Sequence, residues 1–161
     1  MRLDALTAAD LPEVLALNEE NVPDVGTLSP ASLALVVCQS TLALVLRDEQ
    51  GVAGFVLAMS PLSDYASPNY RWFCARFARF LYVDRIAVAA RCRGQGLGRL
   101  LYGDVFAEAR ARDLERVTCE VNLVPPNPGS LAFHHRLGFE RMGELQHIPG
   151  EKEVAMLVAT A

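Results

Sequence analysis

The chain lacks the features of several protein classes. Its 161 residues contain no apolar run close to the roughly 18 residues of a membrane span, and acidic residues near the N-terminus interrupt any signal-peptide pattern. The cysteines lack the spacing of metal sites or disulfide frameworks, and the three histidines add no ligand pattern; these thiols are Cys38, Cys74, Cys92 and Cys119. We therefore expect a cytoplasmic protein with reduced thiols, no bound metal and no membrane partner.

Basic residues are scarce outside the middle of the chain. The net charge is −4, but residues 71–116 carry +5, against −7 for residues 1–70 and −2 for residues 117–161. A negative overall charge without a nucleic-acid-binding motif argues against DNA or RNA as a partner. We expect the basic segment to bind an anionic ligand and the acidic first third to suit a cationic one.

The order of predicted elements indicates the fold class. A composition that is 52% hydrophobic favours a folded protein, and the length fits one domain. The patterns predict a short strand, two helices, a hairpin, a loop over residues 60–79 and a strand–turn–helix unit, followed by a strand, a short helix and two strands. This order predicts an α/β fold with a mixed sheet and helices on both faces.

The strand–turn–helix unit at residues 80–112 carries the strongest functional signal. Residues 80–88 form an apolar run typical of a buried strand, and an amphipathic helix pattern begins near Leu97. The turn between them is rich in glycine, which permits close approach of a ligand to the backbone. Because the first N–H groups of a helix attract anions, the unit predicts a phosphate site.

The spacing of the glycines narrows the choice of phosphate ligand. A dinucleotide fingerprint needs Gly-x-Gly-x-x-Gly, but Arg99 stands where the third glycine is required, and the Gly-Lys pair of a P-loop does not occur. The remaining pattern, Arg93-x-x-Gly96-x-Gly98 after a strand, resembles the pyrophosphate loop of the GNAT superfamily of acyl-CoA-dependent N-acyltransferases. A glycine-rich turn with only a packing role is the alternative.

A second motif resembles the other hallmark of the GNAT superfamily. Residues 127–139, NPGSLAFHHRLGF, are similar to Asn-x-x-(Ala/Ser)-x-x-Phe-Tyr-x-x-x-Gly-Phe, and the two motifs occur in the order that the superfamily requires. The resemblance implies a single GNAT-like acyl-CoA-binding domain over residues 1–161, with a mixed central sheet of about six to seven strands. It also implies transfer of an acetyl group from acetyl-CoA to a primary amine by direct attack in a ternary complex. Dimers are common in the superfamily, so a homodimer is compatible with it.

The resemblance further implies roles for residues inside the matched motifs. The edge of the central strand would pair with the pantetheine arm, and the backbone N–H of Val88 would polarise the thioester carbonyl. The glycine turn would surround the pyrophosphate, and Asn127 and Ser130 would reach the pantetheine or adenine end. Phe133 would pack by the acyl chain or only in the core. The expected cofactor-binding residues are Ile86, Ala87, Val88, Arg93, Gly94, Gln95, Gly96, Leu97, Gly98, Arg99, Asn127, Ser130 and Phe133.

One catalytic position departs from the superfamily pattern. His134 stands where a tyrosine usually protonates the leaving CoA thiolate, and imidazole can also donate a proton. If His134 is only structural, Tyr82, Tyr102 or water is the alternative acid. Asp84, on the central strand, could position a water that deprotonates the amine, or it could pair with an arginine as part of the structure. Glu120, on the next strand, is the rival base. Cys119 has no triad pattern around it, which disfavours an acyl-cysteine route.

The acceptor amine is expected to meet residues outside the two motifs. Tyr70 and Trp72, in the loop 60–79, are candidates for a pocket wall, and Glu19 lies in the acidic first third. Free amino acids, polyamines, antibiotics, protein N-termini and lysine side chains all remain open as acceptors. A second hypothesis for the function is an acyl-CoA-binding module or sensor without catalysis, which the histidine at position 134 motivates.

Overall fold

A computed structural model describes residues 1–161 as a mixed sheet with flanking helices. The strands are β1 (Arg2–Ala5), β2 (Leu42–Asp48), β3 (Gly51–Met59), β4 (Phe80–Val88), β5 (Arg116–Val124), β6 (Glu140–Ile148) and β7 (Lys152–Thr160). The helices are α1 (Leu11–Glu20), α2 (Pro30–Gln39), α3 (Pro68–Cys74), α4 (Leu97–Ala111) and α5 (Pro128–Arg136). None of these helices combines the length and apolar character needed to cross a bilayer.

The seven strands form one sheet in the order β1-β2-β3-β4-β5-β7-β6. All neighbouring strands are antiparallel except β4 and β5. These two are parallel because α4 carries the chain back to the end of the sheet at which β4 begins. In β3, the eight residues from Val52 to Met59 are all buried, as expected for a strand covered on both faces. The predicted α/β fold with a mixed sheet of six to seven strands is confirmed.

Local capping residues explain where two of the helices begin. The Ser29 hydroxyl accepts a hydrogen bond from Ser32 N at 3.1 Å, and the Asn127 side chain accepts one from Ser130 N at 3.1 Å. Each cap is followed by a proline, which lacks the N–H that a first helical residue would leave unpaired. Asn127 therefore directs α5, which carries His134, toward the centre of the sheet.

The loop predicted at residues 60–79 contains the short helix α3. Phe73 and Phe80 are fully buried, and their ring centroids lie 6.3 Å apart. Phe73 of α3 thus packs against the start of β4, and its ring also lies 5.8 Å from that of Tyr82 in the same strand.

The parallel strands β4 and β5 pair over only three residues each, Phe80–Tyr82 with Arg116–Thr118. Beyond Tyr82, β4 continues to pair with β3 and β5 continues to pair with β7. The two strands therefore separate, and a wedge opens in the middle of the sheet. The sequence pattern predicts the parallel pair but contains no signal for the separation.

Candidate active site

The wedge between β4 and β5 holds the main cavity of the molecule. It has a volume of about 920 Å³ and is lined by β4, β5, the glycine turn and α5 on one side. The connection between α1 and α2, the residues before α3 and the β6–β7 hairpin line it on the other. A ligand bound here would contact both motifs that the sequence analysis identified.

The glycine turn leaves open space at the cavity wall. Gly94 and Gly96 have φ values of +76° and +81°, and a Cβ built on either residue would meet no atom within 4 Å. Positive φ is costly for residues with a Cβ, so glycine is needed here for its backbone conformation. Gly96 is also the N-cap of α4, and the free N–H groups in the first turn of a helix can bind an anion.

Gly98 differs from the two glycines that precede it in the turn. A Cβ at this position would lie 3.0 Å from Cζ of Phe133, so the missing side chain lets α5 pack against α4. Phe133 is partly buried against the core and also lines the cavity. The third glycine of the motif therefore serves helix packing as well as the shape of the turn.

Of the thirteen residues expected to bind the cofactor, all except Gln95 line the cavity. The Gln95 side chain instead donates a hydrogen bond to the Arg91 carbonyl at 3.3 Å. Arg93 donates to Asn21 Oδ1 at 3.0 Å, which connects the turn to the end of α1. The backbone edge of β4 that faces the wedge has no strand partner beyond Tyr82.

Asp84 lines the wedge with both carboxylate oxygens engaged. Oδ2 accepts a hydrogen bond from Arg85 Nε at 2.7 Å, and Oδ1 accepts one from the Tyr65 hydroxyl at 2.5 Å. Arg85 Nη1 also donates to Asn18 Oδ1 at 2.9 Å. The pairing of Asp84 with an arginine, one of the two roles considered for this residue, is present in the structure.

Glu120 faces the same space from β5 but keeps one oxygen without a partner. Its Oε1 accepts a hydrogen bond from the Tyr82 hydroxyl at 3.1 Å, while Oε2 is buried and has no hydrogen-bond partner. Burial, and then the nearby Asp84 carboxylate, raise the pKa of Glu120 to about 8. This carboxyl can therefore gain and lose a proton near neutral pH.

His134 is held by both ring nitrogens at the inner end of the cavity. Nδ1 lies 2.8 Å from the Ser130 carbonyl oxygen, and Nε2 lies 2.7 Å from the Tyr102 hydroxyl. Because a carbonyl can only accept, Nδ1 carries the proton, and the Tyr102 hydroxyl donates to Nε2. Burial lowers the pKa of His134, so the imidazole is neutral in this arrangement.

The three residues predicted to bind the acceptor are not among those that line the cavity. The Tyr70 hydroxyl donates to the Ser60 carbonyl at 2.9 Å and accepts from Ser63 N at 3.1 Å. The Trp72 ring lies where a side chain on Gly143 would stand. Glu19 accepts hydrogen bonds from the Thr27 hydroxyl at 2.7 Å and from Leu28 N at 3.0 Å, and thereby shapes the chain between α1 and α2.

Several polar residues of the cavity were not singled out from the sequence as site residues: Tyr65, Asn69, Asn122 and His147. His147 Nε2 and Asn69 Oδ1 lie 2.8 Å apart, and this contact joins β6 to the start of α3. Tyr65 and Asn69 belong to the loop 60–79, and the length of that loop was a usable sequence signal that it contributes residues to a site. The others lie in regular elements, where no local pattern distinguishes a cavity residue from a packed one.

The thiols and acids do not form a further reactive centre. Cys119 is buried at the cavity wall, and burial raises the pKa of its thiol, which disfavours the nucleophilic thiolate. No group of three or more His, Cys, Asp or Glu side chains is arranged to hold a metal ion. Carboxyl, hydroxyl and imidazole groups line the wedge, as described above.

Comparison with known families agrees with this geometry. The family model described as "Acetyltransferase (GNAT) family" matches residues 17–139, which is most of the chain. The chain belongs to the GNAT acetyltransferase family. The matched range contains both the glycine turn and the motif that ends at Phe139. No curated protein sequence matches the chain in the corresponding search.

Solved structures support the GNAT fold over the whole chain. The ribosomal-protein-S18-alanine N-acetyltransferase from Escherichia coli is 18% identical, with a TM-score of 0.76 over 99% of this chain and 92% of that one. Ard1 from Thermoplasma volcanium is 14% identical, with a TM-score of 0.81 over 99% and 97%. The NatC complex bound to Gag peptide and CoA is 14% identical, with a TM-score of 0.78 over 99% and 98%. At these identities the likeness concerns the fold.

Proposed function

We propose that this chain transfers the acetyl group of acetyl-CoA to a primary amine by direct attack in a ternary complex. The observation that carries the proposal is the buried Oε2 of Glu120, which has no hydrogen-bond partner and lies in the wedge between the separated strands. A buried carboxylate oxygen without a partner is costly unless a ligand donates to it. An amine that enters from the side of the β6–β7 hairpin would provide that donor.

The residues present fit acetyl-CoA, which supplies the acetyl group as a thioester. Gly94 and Gly96 leave open space for a pyrophosphate, and Arg93 and Arg99 line the same wall. The backbone groups at the free edge of β4, over Ile86–Val88, would form hydrogen bonds with the pantetheine arm in the way that they would with a neighbouring strand. The backbone N–H of Val88 is the proposed donor to the thioester carbonyl, because a donor at that oxygen stabilises the charge that develops there.

Glu120 is the proposed base that takes a proton from the amine. Its free Oε2 can accept that proton, and a raised pKa near the working pH suits a general base. Asp84 is less suited to this task because Tyr65 and Arg85 occupy both of its oxygens.

The Tyr102–His134 pair is the proposed proton donor to the leaving thiolate. In the ligand-free chain the Tyr102 hydroxyl gives its only proton to a hydrogen bond with His134 Nε2, so protonation of the thiolate requires the O–H to rotate toward the sulfur. The O–H bond then breaks as the S–H bond forms, and the tyrosinate regains a proton before the next turnover. The neutral imidazole itself offers only Nδ1–H, which the Ser130 carbonyl already accepts. His134 thus contributes to acid catalysis through Tyr102 rather than as an imidazolium.

Peptide N-termini are the first acceptor class to test. The structural relatives named above include an alanine N-acetyltransferase of a ribosomal protein and a complex solved with a peptide and CoA. The cavity reaches the surface past the α1–α2 connection and the β6–β7 hairpin, which leaves room for an extended chain. Free amino acids, polyamines, antibiotics and lysine side chains belong in the same panel.

The test is release of CoA thiol from acetyl-CoA in the presence of each amine. We expect at least one amine class to stimulate release well above hydrolysis, with the acetylated product confirmed by mass spectrometry. Stable acetyl-Cys119, or loss of turnover in Cys119→Ser, would argue against direct attack. Binding of acetyl-CoA without stimulation by any amine would favour the module without catalysis.

A further inference from the structure

We propose that Asp84 is a positioning residue that sets the protonation of Glu120 through the Tyr82 hydroxyl. This inference assigns a role to a carboxylate that the proposed function leaves unused, and it rests on that function only for its catalytic consequence. It states that the carboxyl groups of Asp84 and Glu120 are coupled at the point where β4 and β5 separate.

The geometry of the three side chains carries the inference. The Tyr82 hydroxyl lies 3.1 Å from Glu120 Oε1 and 3.5 Å from Asp84 Oδ1. Tyr82 is fully buried and belongs to the last residue pair between β4 and β5 before the strands separate. A single, fully buried hydroxyl group therefore stands between two carboxyl groups.

Asp84 is held in place as a fixed negative charge. The hydrogen bonds from Tyr65 and Arg85 hold its two oxygens from opposite ends of the carboxylate, so the group cannot turn away from Tyr82. The side chain of Asp84 is only 4% exposed and that of Arg85 is 9% exposed. Salt screens interactions between such groups weakly, so the charge of Asp84 is felt at Glu120, where the paired Arg85 guanidinium opposes part of it.

Polar and charged groups from several elements face Glu120. Tyr82, Asp84 and Arg85 belong to β4, Tyr65 and Asn69 to the segment at α3, and Tyr102 to α4. His147 of β6 and Lys152 of β7 line the same cavity. Among these, Asp84 contributes the like charge that resists ionisation of Glu120, while the Tyr82 hydroxyl, the Asn69 side chain and Arg85 favour it.

Two conservative substitutions shift the titration of Glu120 in opposite directions. Asp84→Asn removes the like charge and keeps the shape, so Glu120 should ionise at a pH lower by about one unit. Tyr82→Phe removes the hydroxyl that donates to Glu120 and separates it from Asp84, so Glu120 should ionise at a higher pH. A merely structural role for either residue would predict loss of stability without these opposite shifts.

The experiment is a 13C NMR titration of the glutamate side-chain carboxyl carbons in the intact, ligand-free chain. Glu120→Gln identifies the signal, and Asp113→Asn is the matched control, because Asp113 carries the same charge on a side chain that is 94% exposed. We expect the midpoint to fall in Asp84→Asn, to rise in Tyr82→Phe and to stay unchanged in the control. A midpoint in Asp84→Asn equal to that of the wild type would overturn the inference.

The two variants also separate this inference from the proposed function. If Asp84→Asn does not fold, Asp84→Ser removes the same charge with a smaller polar side chain, and an unchanged midpoint there overturns the inference. The pH dependence of thiol release is then measured in the folded variants. Shifts in the NMR midpoint that the rate profile does not follow would support the coupling and contradict Glu120 as the base.

Discussion

The two ends of the wedge are built in different ways. The glycine turn is one continuous stretch of chain, and its contribution comes from backbone groups and from side chains that are absent at Gly94 and Gly96. The carboxylate cluster joins Tyr65, Asp84 and Glu120 from distant segments, and its contribution comes from buried side chains that alter one another. One end is therefore suited to holding an anion, and the other to moving a proton. Substitutions should separate affinity for CoA from turnover.

Glu120→Gln should cause the largest effect, because it removes the proposed base without changing the shape of the side chain. We expect thiol release with the best amine to fall by about 1,000-fold, within the usual range for general bases. The affinity for CoA, measured by calorimetry, should remain within a factor of about two. Glu108→Gln, which alters an exposed ion pair on α4, is the control. Comparable turnover in the two variants would exclude Glu120 as the base.

Tyr102→Phe should lower turnover by about 100-fold if its hydroxyl protonates the thiolate. The affinity for CoA should again be retained, since the ring still packs against Phe139. His134→Phe should have a similar effect because the imidazole, through Nε2, holds the Tyr102 oxygen in place at the cavity wall. If only His134→Phe is impaired, the imidazole and not the phenol donates the proton.

Gly96→Asp should weaken CoA binding by about 30-fold, or about 2 kcal/mol, because the new carboxylate would face the bound phosphates. The turn tolerates no ordinary side chain without strain, since φ at this position is +81°. Gly103→Asp is the matched control, because a Cβ there also meets no atom but lies on the exposed face of α4. Equal affinity in both variants would contradict the assignment of the turn to CoA.

The pH profile tests the cluster in the unmodified protein. Because the pKa of Glu120 is raised to about 8, its carboxylate is scarce at pH 6 to 7, and kcat/KM should rise about tenfold per pH unit toward that value and then level off. Two amines of different basicity should show the same enzyme-dependent midpoint. A rate that instead falls as pH increases through 6 to 7 would indicate a protonated His134 as the donor.

Gly143→Ala should lower the stability of the fold and leave the function of both ends of the wedge unchanged. A Cβ at this position would lie 2.7 Å from Cζ2 of Trp72, so β6 or the ring must move. We expect a loss of about 1 to 3 kcal/mol in the free energy of unfolding, measured by chemical denaturation. Thiol release in the folded fraction should be unchanged. A selective loss of turnover would return Trp72 to the acceptor site that the sequence analysis proposed.

The glycine turn, the strand before it and the capped helices were predictable from sequence because each depends on neighbouring residues. The glycines of the turn, the proline after Ser29 and the apolar run at residues 80–88 are local signals. Two such motifs in a fixed order were enough to indicate the family and the class of cofactor. The placement of Glu19, Tyr70 and Trp72 was not predictable, because exposed charge or aromatic character does not reveal which contacts a side chain makes.

Only the tertiary structure distinguishes Asp84 from Glu120. Both are acidic residues on neighbouring strands, and the sequence allows either as the base. The difference arises because Tyr65 and Arg85 occupy the oxygens of Asp84, while the separation of β4 from β5 leaves Oε2 of Glu120 buried and without a partner. Backbone conformation follows from residues close in sequence, whereas the proton affinity of a buried carboxyl follows from charges and hydrogen bonds that the fold brings from distant parts of the chain.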